Sequence, residues 1–341
     1  MAIDMFATRT LVAVVSQMKR PQTFFLNMFF KKSKTSQTKY VDIDVIKGKR
    51  RLAPFVSPRM QGRIVEKIGY RTDTYEPPYI KPKHVLEPED FDEREIGTTI
   101  YQNNETPGTR AQRKMAELLM DLDDQITRRE EWMAAIALQT GEVPIVGDGV
   151  NVTIDFGLEA THNITLVGDD LWDNTASTPI EDLEDWAEIL LQDSGLACDI
   201  IVMGKDAARA FCNHADVKEK LDNRRVVMGE IKPDKIANGA RYIGNISSVG
   251  DIYVYHEWYI DEASGIEGSL MDPKKVLLGS TRAECIRHYG AIRDLKCMAA
   301  MERFPKVWDN DDPSCRFLML QSAPLPAPHQ IDAFVVAQVL A

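Results

Sequence analysis

The chain has 341 residues, 44% apolar and 27% charged, a globular balance that excludes a disordered or fibrous polymer. Its net charge of −11 is uneven: residues 1 to 60 carry 12 lysines and arginines against three acids, and the remainder carries 29 against 49. A basic arm therefore precedes an acidic body, which excludes neither a solvated tail nor an arm lying on acidic neighbours or nucleic acid, but disfavours sequence-specific DNA binding.

The arm holds two short apolar runs, LVAVV at Leu11 to Val15 and FFLNMFF at Phe24 to Phe30. They are separated by MKRPQT, and no small-residue cleavage site follows, so no secretory signal is expected. No run of about 18 apolar residues exists to span a membrane. Beyond the arm, RIVEKIGY alternates as a strand, with Ile64, Ile68 and Tyr70 on one face. The composition of Arg71 to Thr74 reads as a turn, with YEPPYIKPKH (Tyr75 to His84) as the return strand of a hairpin. Pro77, Pro78 and Pro82 make this stretch stiff and extended, since proline lacks an N–H and biases its predecessor to extended geometry. A two-stranded hairpin is marginal alone and needs a surface to lie on.

Apolar residues recur at helical spacing from Pro107 to Thr140 (Met115, Leu118, Leu119, Leu122, Ile126, Met133, Ile136). Thr106 suits a cap, Pro107 the first turn and Gly141 the stop, which predicts a helix of about 50 Å. VPIVGDGVNVTIDF reads as a hairpin about Asp148-Gly149, and its GDG lacks the lysine and context of a phosphate loop. A second helix is expected from Pro179 to Gly195, with Leu183, Trp186, Ile189 and Leu190 inward. The strand CDIIVMG and the helix KDAARAFCN follow, opening an α/β module. Val217 to Gly239 reads as a charged loop, and GARYIGNISSV, DIYVYHEWYI and KKVLLGS as strands. RFLMLQSAPLPAPHQIDAFVVAQVL gives a strand, a connector through Pro324, Pro326 and Pro328, and a last strand.

Signs of chemistry are sparse. The five cysteines are scattered and never spaced as CxxC, which fits neither a disulfide framework nor a zinc knuckle and points to synthesis in a reducing cytoplasm. The six histidines form no HExxH and no close pair along the chain, and no GxSxG elbow occurs. Acidic stretches at Glu87 to Glu95, Gly168 to Asp173 and Asp309 to Pro313 lack the calcium-loop pattern and read as solvated loops. No cofactor or metal is expected. A long helix, an extended hairpin and a basic arm without a catalytic cluster describe a chain built to meet copies of itself.

The ordered motifs FFLNMFF, FVSP (Phe55 to Pro58), YIKPKH (Tyr79 to His84), VKEKLDNRR (Val217 to Arg225), LGSTRA (Leu278 to Ala283), RFPKVW followed by DP, and LQSAPLPAP resemble the major capsid proteins of lambda-like tailed phages, the capsid E family. The resemblance runs nearly end to end. It implies an α+β fold of the Hong Kong 97-like capsid type: an N-terminal arm over 1–50, an extended E-loop over 51–92, a peripheral domain over 93–175 with a spine helix at about 107–140, an axial α/β domain over 176–300, and return strands of the peripheral domain over 301–341. It implies a non-enzymatic head protein that assembles into hexameric and pentameric capsomers and an icosahedral shell around double-stranded DNA, in the host cytoplasm and then in the virion. Scaffold, portal and decoration proteins are the implied partners, with no membrane. Lys81 and Lys83 lie in the loop, but nothing marks an asparagine acceptor for a covalent cross-link. Tyr75, Pro77, Pro78, Tyr79, Lys81, Pro82 and His84 are then expected at a subunit contact, pre-stiffened so that docking loses less entropy. Arg110, Arg113 and Lys114, cations at an unfavourable helix start, are expected to meet Glu87, Glu89 and Asp90 of another copy. The alternatives are an encapsulin-type compartment, separable by its gene neighbours, and a metal-dependent hydrolase using Asp309 and Asp311.

Overall fold

The computed structural model describes residues 15, 23–46, 53, 55–61, 70–89, 107–147, 149–220, 239–261, 265–297, 300–312 and 314–341. In chain order, α1 (Phe25–Met28) precedes β1 (Lys32–Thr35), β2 (Val41–Ile46), β3 (Tyr70–Tyr75) and β4 (Lys83–Leu86). The long helix α2 (Pro107–Thr140) leads into β5 (Glu142–Gly147), β6 (Val150–Asp155) and β7 (Asn163–Thr165). Next come α3 (Pro179–Ser194), β8 (Ile200–Met203), α4 (Lys205–Asn213), α5 (Ala215–Lys220), β9 (Ala240–Ile246) and β10 (Gly250–Tyr255). The remainder is strand: β11 (Trp258–Asp261), β12 (Ile266–Ser269), β13 (Lys275–Gly279), β14 (Cys285–Tyr289), β15 (Phe304–Asp311), β16 (Ser314–Gln321), β17 (Pro324–Pro328) and β18 (Phe334–Gln338).

Helix α2 is the axis on which one half of the molecule packs. Leu119, Leu122 and Ile126 are buried with Leu86, Leu318 and Leu320, so this stretch of the helix lies under the sheet β15-β16-β4. Further along, Met133 and Ala137 meet Val41, Ile43, Leu325 and Ala327. Gly141 stops the helix at φ +74°, and a Cβ there would lie 2.4 Å from the Cβ of Leu158, so glycine is required on both counts.

The other half is a six-stranded sheet in the order β7-β18-β13-β8-β10-β9. One face carries α3, α4 and α5 through Leu183, Trp186, Phe211 and Val217. The opposite face takes the aromatic arm and the end of α2, through Phe25, Phe30, Ala134 and Leu138. Strand β8 is buried throughout, as the unbroken IIVM run predicts for a strand covered on both faces.

Several local expectations change. Arg71 to Thr74 is not a turn but the body of β3, which pairs antiparallel with β2 from Val41↔Tyr75 to Ile46↔Tyr70. The hairpin thus joins residues on both sides of position 50, and its partner strand lay some 30 residues upstream, where local pattern offers no warning. The strand expected at Ile64 and Ile68 lies outside the described residues, as do the cap candidate Thr106 and the turn residue Asp148. Val217 opens no loop but belongs to α5. The connector at Pro324, Pro326 and Pro328 is itself strand β17, paired with β14 on the edge of the sheet β1-β14-β17. The three prolines fall at alternate positions, while the carbonyls and amides of the intervening register bond to β14, so no ladder bond is lost. The last strand, β18, pairs with β13 and β7 in the six-stranded sheet, and its Phe334 and Val336 pack with Ala134 and Leu138 at the end of α2.

Candidate assembly surfaces

The arm is fixed by a single carboxylate. Phe24 and Phe25 N–H donate to Oε1 of Glu131 at 2.8 and 2.7 Å, and Leu26 N–H donates to Oε2 at 3.0 Å. These are the orphan donors at the start of α1, which has no cap of its own, and the side chain that satisfies them comes from the middle of α2. Tyr255 adds its hydroxyl at 3.2 Å. Burial pushes the Glu131 carboxyl up to about 7, against the pull of the three N–H groups. Around it Phe24 stacks on Tyr255 and Phe29 meets Phe334 edge-on. The FFLNMFF run is therefore core, not a free tail.

The proline segment is a strap on its own chain. Tyr75 donates its hydroxyl to the Asp155 carbonyl at 2.7 Å, and its ring lies 5.9 Å from that of Phe156. Pro77 is buried against Gly290, and Pro78 is half-buried. Tyr79 donates to the Gln321 side chain, and Ile80 exchanges backbone hydrogen bonds with Ser322. Pro82 accepts from Leu320 N–H, and His84 lies 2.9 Å from Asp121 on α2. Lys83 sits over the Phe317 ring, and Lys81 is exposed. Both tyrosines thus already make contacts within the chain, so the stiff segment holds the base of the β2–β3 hairpin against the body.

Beyond the strap, Leu86 packs with Met115 and Leu119 in the N-terminal half of α2, and the following Glu87 and Glu89 are exposed. Arg113 and Lys114 are half-buried there. Only the backbone of Arg110 is described, and Asp90 with the rest of the acid run to Glu95 lies outside the described residues.

Among the described residues, exposed apolar side chains include three sets, each placed on one segment or hairpin. Phe55 and Met60 are fully and largely solvent-exposed, beside Val56. On the β5–β6 hairpin, the face that buries Val143 and Ile154 continues outward into Val152 and Val150, which are exposed. On the β11–β12 hairpin, Trp258 and Ile260 face solvent while the opposite face is clamped to α2: Arg129 bonds Asp261 at 2.6 Å and Tyr259 meets Trp132 edge-on. Apolar side chains presented on hairpins with fixed bases suit contact with another protein surface.

Periodicity missed the charged interior of α2. Asp123 and Glu130, seven residues apart on one face, are both buried and both bond Arg303, at 2.8 and 2.7 Å. Ser322 Oγ accepts a further Arg303 N–H at 2.9 Å, and Tyr289 donates to Glu130 at 3.3 Å. The available signal was two acids in register with Leu119, Leu122 and Ile126. The fold also makes the histidine pair that spacing did not show: His288 and His329 bring their Nε2 atoms to 2.9 Å, and burial with the second ring holds His288 down to about 4. Asp309, the hydrolase candidate, is engaged by Arg316 in two hydrogen bonds at 2.5 and 2.9 Å. Among the described residues no group of three or more histidines, cysteines or acids is placed to hold a metal.

The family model for phage major capsid protein E matches residues 7–339. The chain is similar to the major capsid protein of Escherichia phage lambda, 30% identical over 99% of this chain and 100% of that one. It is 32% identical to the major capsid protein of Enterobacteria phage P21, with the same coverage. Its fold is similar to that of a prophage capsid protein from Escherichia coli CFT073, with a TM-score of 0.76 at 23% identity and 98% and 99% coverage of the two chains. The architecture is accordingly the Hong Kong 97-like capsid fold, α+β in class, and the chain belongs to the phage major capsid protein E family.

Proposed function

We propose that this major capsid protein closes into hexameric and pentameric capsomers and then into an icosahedral shell around double-stranded DNA, assembling in the host cytoplasm with separate scaffold, portal and decoration proteins. The observation that carries the reading is the family match over nearly the whole chain, joined to the exposed apolar residues Phe55 and Met60 and to Trp258 and Ile260 on the β11–β12 hairpin. In this reading the segment Tyr75 to His84, strapped to its own body through Tyr75 and Tyr79, also lies at the contact with a neighbouring copy, where Lys81 is exposed. Glu87 and Glu89 of one copy face Arg113 and Lys114 of the next. Reversal of Glu87 and Glu89 should weaken assembly and reversal of Arg113 and Lys114 should restore it. Negative-stain microscopy and sedimentation of the purified chain, with and without scaffold and portal, test the whole. Closed shells of one size class support it, and shells filled with a host enzyme in place of nucleic acid would favour a storage compartment.

A further inference from the structure

The six-stranded sheet carries opposite charge at its two edges, at the same end. Strands β8 and β10 are parallel, β18 and β7 are parallel, and β13 runs against both β8 and β18, so these four point one way. Beyond their C-terminal ends, at the β9 edge, lies a cleft of about 590 Å³. Lys205 and Arg209 of α4, Arg241 of β9, Asn213 and His256 line it, and among the described residues no carboxylate does. Arg241 and Lys218 are both close enough to the Cys212 thiol in its wall to oppose the upward push of burial. The only acid paired with these cations among the described residues is the half-buried Asp206, 3.5 Å from Arg209.

At the other edge, β7 ends at Thr165 beside Gln338, and the chain turns through Gly168–Asp170 at that same end of the sheet. Asp169, Asp170 and Asp173 are exposed there. The turn is rigidly placed: Trp172 N–H donates to the Val339 carbonyl at 3.1 Å, and its ring stacks on Trp186 and packs against Phe211. Asp182, which accepts the Trp172 indole N–H at 2.9 Å, is raised by burial and then by Asp170, Asp185 and Glu181, a sign of unrelieved like charge. The two edges are separated by five inter-strand steps, roughly 24 Å.

We propose that the turn carrying Asp169, Asp170 and Asp173 of one copy enters the cationic cleft of Lys205, Arg209 and Arg241 of the next, closing copies into a ring. The contact rests on the shell reading above and specifies one of its joints. A patch and its complement at different places on one molecule make a head-to-tail contact, the kind that generates rings. The occupant is a carboxylate turn rather than duplex phosphate, because the cleft is small and set in a body with 29 basic residues against 49 acids beyond residue 60.

The test uses the full chain, assembled from an equal mixture of ¹⁴N- and ¹⁵N-labelled protein and treated with a zero-length carbodiimide. Peptides joining Lys205 to the Asp169–Asp173 turn should appear in mixed-isotope form. Arg241→Glu or Asp170→Lys alone should weaken assembly about fivefold or more, and the two together should recover to within about twofold, with circular dichroism unchanged throughout. Shells that form normally from both single variants, or Lys205 links confined to one isotope, would overturn the contact while leaving the shell reading intact. Loss of duplex DNA binding by Arg241→Glu with assembly unaffected would overturn it in favour of phosphate. Wild-type protein that never mixes isotopes would remove the shell reading and this joint together.

Discussion

Replacing Arg303 by methionine should damage the fold far more than its size suggests. Arg303, Asp123 and Glu130 are each 2% to 3% exposed, and the arginine bonds both carboxylates. Methionine keeps most of the volume but leaves two buried carboxyl groups on one face of α2 without their cation. Removing one partner of a buried pair costs about 3–5 kcal/mol, a factor of roughly 10² to 10³·⁵ in the folding constant. Glu130→Gln is the contrasting perturbation. It keeps an acceptor for Tyr289 and removes the surplus negative charge of a cluster with one cation and two anions, so its expected cost is about 1 kcal/mol or less. Guanidinium unfolding of unassembled protein at pH 7.5, followed by tryptophan fluorescence, measures both. An Arg303→Met loss under about 1 kcal/mol, or a Glu130→Gln loss equal to it, would refute the reasoning, because charge compensation would then not be what stabilises the spine.

Three further outcomes follow from the geometry. The Glu131 carboxyl is raised from 4.5 to about 7, so its contribution is fully present below about 4.5 and is lost as pH rises to about 7; wild type minus Glu131→Gln stability should fall by about 3 kcal/mol across that window in urea titrations, and a flat difference would contradict the burial argument. Gly204→Ala places a Cβ 2.0 Å from the Asp272 carbonyl oxygen, a backbone collision that should cost about 3 kcal/mol or more in thermal melts; a variant as stable as wild type would show that the β8–α4 corner shifts freely. Phe55→Asp with Met60→Asp should leave unfolding unchanged within about 0.5 kcal/mol yet reduce assembly in sedimentation, since both side chains are solvent-exposed in the single chain.

Legibility in the sequence followed the range of the interactions involved. The bounds of α2 were readable because Pro107, Gly141 and the apolar spacing act within a few residues, and the same holds for α3 and its stop at Gly195. Local chemistry made the proline stretch extended without showing what it lies on. Pro77 and Pro82 do stiffen the chain, but Tyr75 and Tyr79 face Phe156 and Gln321 of the same molecule, a match that depends on residues 80 to 240 positions away. Pro324, Pro326 and Pro328 looked like a connector because strand preference alone rejects proline, whereas an edge strand with its free side turned from the ladder admits it. Nothing in the apolar spacing of α2 marked Glu131, Asp123 and Glu130 as interior. Their partners, Phe24 to Leu26 and Arg303, are more than 100 residues away, so the helix pattern could not reveal that three carboxylates were interior. The acidic stretch Gly168 to Asp173 was visible as charge, but its placement at the sheet edge opposite Lys205, Arg209 and Arg241 required the strand order.

Electron microscopy of the purified full-length protein, taken from micromolar to millimolar concentration with scaffold and portal supplied, addresses the central claim most directly. Closed particles or capsomers that grow with concentration are the expected result. A chain that stays a dispersed monomer across that range, with its folded spectrum intact, would contradict the account.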